Sequence, residues 1–225
     1  MVKYKPILFS TPMVQAIMEG RKMMIRRVII PPSWSTGTHD DFELDHYGDI
    51  EAICEATGCF AIIKPKYQPG DILWVRETWN GIRLGLGTEY WYKADEPNDA
   101  DDGVLREKWR PSIHMPKEAC RLFLRVTDVR AERLQEITAG DCIKEGIDWQ
   151  DVTPCVGAFD NHRPDIDYDD VVGQAQEAQE REMIRDSFGK LWDHLNAKRG
   201  YGWDKNPWVW IYMFERIDKP EGWTE

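Results

Sequence analysis

The segment Trp208 to Ile217 constrains the fold of this chain more than any other. Trp208, Trp210, Tyr212 and Phe214 alternate with Val209, Ile211 and Met213, so a strand here is apolar on both faces. Such a strand must be covered on both sides, either central in a sheet or closing a barrel. A chain of 225 residues can supply that cover, as one domain with insertions or as two small domains.

The remaining pattern supplies short strands with few helices. Ile7 to Phe9 reads as a strand, followed by Thr11 as N-cap, Pro12 at the first helical position, an apolar stripe of Met13, Val14, Ile17 and Met18, and Gly20 as terminator. Val28-Ile29-Ile30 runs to a Pro31-Pro32 stop. Residues 33–50 read as a polar insertion and Ala52 to Ile63 as a hairpin turning near Thr57-Gly58. Pro69-Gly70-Asp71 is a turn signature feeding a strand from Ile72 to Trp79. Tyr90 to Tyr92 and Arg121 to Leu134 read as further strands, the latter with Leu122, Leu124 and Val126 on one face and Arg121 and Arg125 on the other. Thr138 opens a short helix closed by Gly146. Residues 147–173 read as loop. A helix over about 174–199 places Ile184, Phe188, Leu191, Trp192 and Leu195 on a core face and ends at Gly200. These elements predict an α+β protein, a small mixed β-barrel with helices packed at its openings. No GxGxxG, P-loop, HExxH or GxSxG motif occurs.

Acid is unevenly distributed. The net charge is −11, yet residues 34–63 carry seven acids and no Lys or Arg, residues 95–102 carry five acids, and residues 148–182 carry ten acids against Arg163 and Arg181. The rest of the chain is therefore basic. It suits an anionic partner, while the acidic loops serve solubility, fence the ligand or meet a second partner. Four cations fall within seven residues at Arg21, Lys22, Arg26 and Arg27. No apolar run approaches the roughly 18 residues a bilayer span needs and no signal peptide is evident, so a cytoplasmic protein with no membrane partner is expected. Five scattered cysteines without a CxxC fit reduced thiols. Cys54, Cys59 and His46 lack the spacing of a zinc site, so no metal and no cofactor are expected.

Several blocks read together carry a resemblance. Gly20-Arg21-Lys22 with Arg26-Arg27 comes first, followed by Pro69-Gly70-Asp71-Ile72-Leu73-Trp74-Val75-Arg76-Glu77-Thr78-Trp79 and Trp109-Arg110-Pro111-Ser112-Ile113-His114-Met115-Pro116. Leu122 to Val129 follows, and Asn196-Ala197-Lys198-Arg199-Gly200-Tyr201-Gly202-Trp203 leads into Asn206 to Trp210. This series resembles the ASCH domain, and is most similar to the longer ASCH proteins of phages and prophages. The resemblance covers most of the chain outside the acidic insertions at about 34–63, 95–105 and 147–175, and reads 1–225 as one domain. It implies a PUA-like barrel, a fold recurrent in proteins that bind RNA or modified bases, with a cleft where the basic segment meets the Gly70-Asp71 strand. In an amidohydrolase of that family, acting on N4-acetylcytidine, a Lys, a Thr three residues on and a Glu carry catalysis. Lys22 matches the Lys and Glu145 the Glu, but Ile25 stands at the Thr position. A ribonuclease activity is also known within the family.

Each of these residues has a chemistry. Lys22, among Arg21, Arg26 and Arg27, feels like charges that favour a neutral amine and so a general base. Isoleucine offers no hydroxyl, so hydrolysis would need activated water, Thr78 or Ser112. Binding is less demanding. Arg26 and Arg27 suit phosphate, Trp79, Trp109 or Trp203 suit a stacked base, and Glu77 can accept from a base amino group unless it braces the fold in an ion pair with Arg76. His114 is a candidate at the cleft, and Lys198 and Arg199 either cap a helix or extend a phosphate track. The expected partner is RNA or a modified nucleotide or nucleoside. The alternatives are an amidohydrolase or ribonuclease, and a protein that engages a host factor through its acidic insertions, in the host cytoplasm if phage-encoded.

Overall fold

The computed structural model describes residues 2–30, 42–44, 50–54, 59–84, 87–95, 108–147 and 168–223. Its strands are β1 (Tyr4–Leu8), β2 (Met24–Val28), β3 (Phe42–Leu44), β4 (Ile50–Cys54), β5 (Cys59–Ile63), β6 (Ile72–Arg76), β7 (Trp79–Leu84), β8 (Gly87–Tyr92), β9 (Phe123–Arg133) and β10 (Trp208–Ile217). The helices are α1 (Thr11–Met18), α2 (Ala139–Lys144) and α3 (Tyr168–Asn196). The class is α+β. A five-stranded sheet runs β1-β6-β9-β10-β2, a three-stranded one β3-β4-β5, and β7 with β8 makes a hairpin. The doubly apolar strand is indeed interior, between β9 and β2. The expected barrel closure is not found: among the described residues the five-stranded sheet ends at β1 and β2. No helix among them is long and apolar enough to cross a membrane.

The chain divides into two compact units, Met1–Arg26 with Lys64–Arg130 and Trp210–Glu225, and Arg27–Ile63 with Ala131–Val209. In the first, β1 pairs parallel with β6, Tyr4 opposite Ile72 and Leu8 opposite Arg76. The turn before β6 fixes this register. Gly70 adopts φ +86°, which glycine reaches without steric cost, and the Asp71 amide donates to the Gln68 carbonyl at 3.0 Å. The buried Asp71 carboxylate accepts from the Gln68 amide at 2.8 Å and the Lys5 ammonium at 2.6 Å. One side chain therefore ties the turn to the neighbouring strand. Charged hydrogen bonds of this kind contribute about 1.5–3 kcal/mol, so Asp71→Ala is expected to cost roughly 2 kcal/mol in a thermal or urea denaturation.

Helix α1 has Ser10, not Thr11, as its N-cap, and Gly20 at φ +77° ends it. Val14, Ala16 and Ile17 are buried, while Met18 is exposed. The strand expected from Ile72 to Trp79 breaks at Glu77-Thr78, and Trp79 begins β7 instead. Phe123 is as buried as its neighbours. It packs with Ile72, Trp79, Met115, Ala119, Cys120 and Trp223 in one core cluster.

In the second unit, β4 and β5 form the expected hairpin, Cys54 opposite Cys59. The stretch read as a polar insertion adds β3 alongside. Thr138 caps α2, its hydroxyl accepting from the Asp141 amide at 3.1 Å, and Gly146 follows at φ +94°. Helix α3 starts before the expected residue 174 and gives way to a tight turn at Ala197–Arg199. Ile184, Phe188 and Trp192 are buried, but Leu191 and Leu195 of the expected core face are exposed. Most of the acidic insertion residues, including 96–102 and 148–167, and His46 lie outside the described residues.

Candidate functional site

Three of the candidate site residues named from sequence are buried charges of the first unit. Glu77 is 1%, Lys22 3% and Arg26 4% exposed. Burying charge is costly without compensation, so charged interiors concentrate where a protein does chemistry or binds, or where an ion-pair network braces the fold. Glu77 shows its compensation directly. Arg121 donates from Nε to Oε1 at 2.9 Å and from Nη2 to Oε2 at 3.0 Å. The same guanidinium donates from Nη1 to both Asp95 oxygens at 2.8 and 2.7 Å. Its Cζ lies 3.8 Å from the centre of the Tyr92 ring, and Nη2 reaches Met18 Sδ at 3.8 Å. The last turn of α1 and the end of β6 therefore meet at Arg121.

Electrostatics follow from that enclosure. Burial pushes the Glu77 carboxyl above its usual value, against the pull of the Arg121 hydrogen bonds. Arg121 is held above its ordinary value because Glu77 and Asp95 together outweigh its own desolvation. Burial also pushes the Tyr92 hydroxyl up to about 12 and the Cys120 thiol up to about 11, which leaves that thiol un-ionised and unreactive at neutral pH.

The other residues named from sequence separate into distinct settings. Arg21 pairs with Glu19 next to it. In β2, alternation sends Arg26 inward and Arg27 outward, so the two do not form a joint clamp. Arg26 Nη1 donates to Met24 Sδ at 3.2 Å, and Ile25 is buried. Arg76 does not pair with Glu77. It lies over the Trp74 ring at 5.4 Å and donates to the Ile113 carbonyl. Ser112 and His114 sit in a tight helical turn after Pro111, with His114 exposed. Trp109 is half-buried.

In the second unit, Glu145 is buried at the C-cap of α2. Lys198 and Arg199 are exposed in the turn that follows α3. Trp203, expected to face a ligand, packs edge-on against Phe188 at 6.2 Å. A Cβ at Gly189 would lie only 3.3 Å from its ring, and its amide donates to Asp193 Oδ1 at 2.6 Å. That tryptophan is chiefly a clasp on α3.

Among the described residues, two of the grooves on the first unit are lined by none of Lys22, Arg26 and Glu77. One, of about 630 Å³, runs past Ile72, Arg125, Arg216 and Asp218. Its Arg125 already pairs with Glu215 at 3.0 Å. The other, of about 460 Å³, lies over the β7–β8 hairpin and is lined by Trp79, Gly81, Arg83, Tyr90, Arg110 and Pro116 among others. Trp79 and Arg110 are joined by mutual backbone hydrogen bonds of 3.2 and 2.9 Å, and the Arg110 guanidinium lies 5.2 Å from the Trp79 ring centre. Sequence reasoning named Trp79 but missed Arg83, Tyr90, Arg110 and Arg121. The signal for Arg83 was the alternation Trp79, Gly81, Arg83, which places the three on one face of a strand. Among the described residues no cluster of His, Cys, Asp and Glu is arranged to hold a metal ion. Comparison with protein-family models, curated proteins and solved structures found no match to this chain.

Proposed function

We propose that the protein binds nucleic acid or a modified nucleotide or nucleoside through the basic, tryptophan-bearing side of its first unit, as a cytoplasmic ASCH-type protein related to the PUA-like fold. The observation that carries this reading is the groove over Trp79, where guanidinium groups from Arg83 and Arg110 border an aromatic floor. Cations that track phosphate, combined with aromatic rings that take base faces, are the ordinary chemistry of nucleic-acid binding. A PUA-like barrel would require the open ends of the five-stranded sheet to close.

Fluorescence anisotropy with a panel of labelled RNAs tests this reading. Association is expected at about 50 mM salt and should weaken steeply by about 200 mM. An absence of association at low salt overturns it. Native mass spectrometry of protein purified from cells should also show a retained nucleotide or RNA fragment.

The enzymatic reading draws on the burial of Lys22, which holds a primary amine away from bulk water. Turnover of N4-acetylcytidine, abolished in Lys22→Met, would favour it over binding alone. The buried Ile25 supplies no nucleophile, so Ile25→Thr is the informative companion variant.

A further inference from the structure

We infer that the outer edge of β8 is a self-association surface, along which a second copy of this chain lays its own β8 antiparallel to the first. The inference is independent of any nucleic-acid ligand.

Backbone geometry sets which way this edge faces. Trp79 directs both of its backbone groups at Arg110, its amide donating at 3.2 Å and its carbonyl accepting at 2.9 Å, on the side away from β8. The two groups of a strand residue point to one side, and successive residues alternate. The pairs of Trp79 with Tyr92, Gly81 with Tyr90 and Arg83 with Thr88 are therefore those without mutual hydrogen bonds. Thr88, Tyr90 and Tyr92 accordingly turn their amides and carbonyls outward. Among the described residues, β8 pairs with β7 alone, and these outward groups have no hydrogen-bond partner. An edge of this kind is a template for another strand, and proteins commonly blunt it with proline, lysine or a bulge. Gly87–Tyr92 contains neither proline nor lysine, and its register with β7 runs unbroken.

The face beside the edge is apolar. Trp91 is 38% and Ile82 43% exposed, and the two are diagonal neighbours across the hairpin. Glu89 is the one charge of the strand, and it selects both the register and the occupant. A two-fold axis at Tyr90 sets Tyr90 opposite its own copy and Thr88 opposite Tyr92 of the other chain, so every outward group is paired. Glu89 then lies opposite Trp91 of the other chain, and the two Trp91 rings become diagonal neighbours, within reach for aromatic side chains. An axis at Glu89 would oppose two carboxylates, which is destabilising. An axis at Trp91 would set Thr88 opposite Ala94, beyond the end of the strand, and leave its groups unpaired. The edge is thus complementary to itself in one register. Six residues a side make a small interface, so the dimer is transient, with a dissociation constant of about 10–100 μM.

Sedimentation equilibrium of the full chain, from about 5 μM to about 200 μM to bracket that value, tests the inference. The average mass should rise with concentration from monomer towards dimer. Thr88→Pro removes an outward amide that β7 does not use, a place where an edge strand tolerates proline, and should weaken the dimer at least roughly tenfold. Trp91→Glu opposes two carboxylates twice over and should weaken it as much, whereas Trp91→Lys meets the same Glu89 with opposite charge and should dimerise roughly tenfold more tightly than Trp91→Glu. Thr88 and Trp91 are both exposed, so the variants keep the fold, which circular dichroism checks. A monomeric mass across the whole range overturns the inference, as does a dimer that Thr88→Pro leaves intact. Equal weakening by the two Trp91 variants overturns the register on which the pairing stands.

Discussion

Replacing Arg121 with methionine should destabilise the protein by about 3–5 kcal/mol, the cost of removing one partner of a buried ion pair and leaving the other charge uncompensated. Glu77 is essentially inaccessible to water and both its oxygens accept from Arg121. Methionine retains the packing against Tyr92 but supplies no donor. The loss should depend on pH in a defined direction. The Glu77 carboxyl already titrates above its ordinary value of 4.5 in the folded protein, and without Arg121 it titrates higher still. A carboxyl whose folded pKa exceeds its unfolded one draws down stability as pH rises from the unfolded value to the folded one. The deficit of Arg121→Met should therefore be small below about pH 4.5 and grow towards neutrality. Urea titrations at several pH values measure it. Combining Arg121→Met with Glu77→Leu should recover much of the loss, because a buried pair replaced on both sides by apolar groups is often neutral. A pH-independent deficit would show that Arg121 acts through packing alone.

Trp223→Ala should cost a similar amount, about 3–5 kcal/mol, as large aromatic truncations in cores do. Trp223 is buried near the end of the chain. Its ring meets Phe123 edge-on at 5.0 Å, Tyr4 at 5.2 Å and Trp74 at 5.8 Å. The Lys117 ammonium lies 4.2 Å from its ring centre, and its indole N–H donates to the Lys117 carbonyl at 3.2 Å. Trp223→Phe keeps most of the area and loses the hydrogen bond, so it should cost roughly 1–2 kcal/mol. Equilibrium denaturation of the two variants separates area from hydrogen bonding. Equal losses would mean that the N–H, and not the ring, anchors this segment.

The sequence made the local geometry readable wherever one residue type is required. Gly20, Gly70, Gly146 and Gly200 all take positive φ where a helix end or turn was expected, because only glycine does so without steric cost. The interior position of β10 was equally legible, since nothing else hides two apolar faces. What escaped was tertiary. The break after Arg76 leaves no local signature, and Glu77 finds its partner 44 residues away. Leu191 and Leu195 share the periodicity of Ile184 and Phe188 yet are exposed, because spacing sets which residues share a stripe and not how much of the stripe a neighbour covers. The groove was half visible. Trp79 stood out by composition, whereas Arg83 and Arg110 needed the hairpin and its bridge to bring them to one place.

The position of β10 has a consequence for synthesis. The strand lying between β9 and β2 is the last of the sheet to emerge from the ribosome, so until it is made those two strands have unsatisfied backbone edges facing an empty slot. Pairings that distant in sequence form slowly, and open edges invite pairing with other chains. Nascent chains halted before residue 208 should therefore depend on chaperones, while a chain that includes Trp208–Ile217 closes the slot with β10.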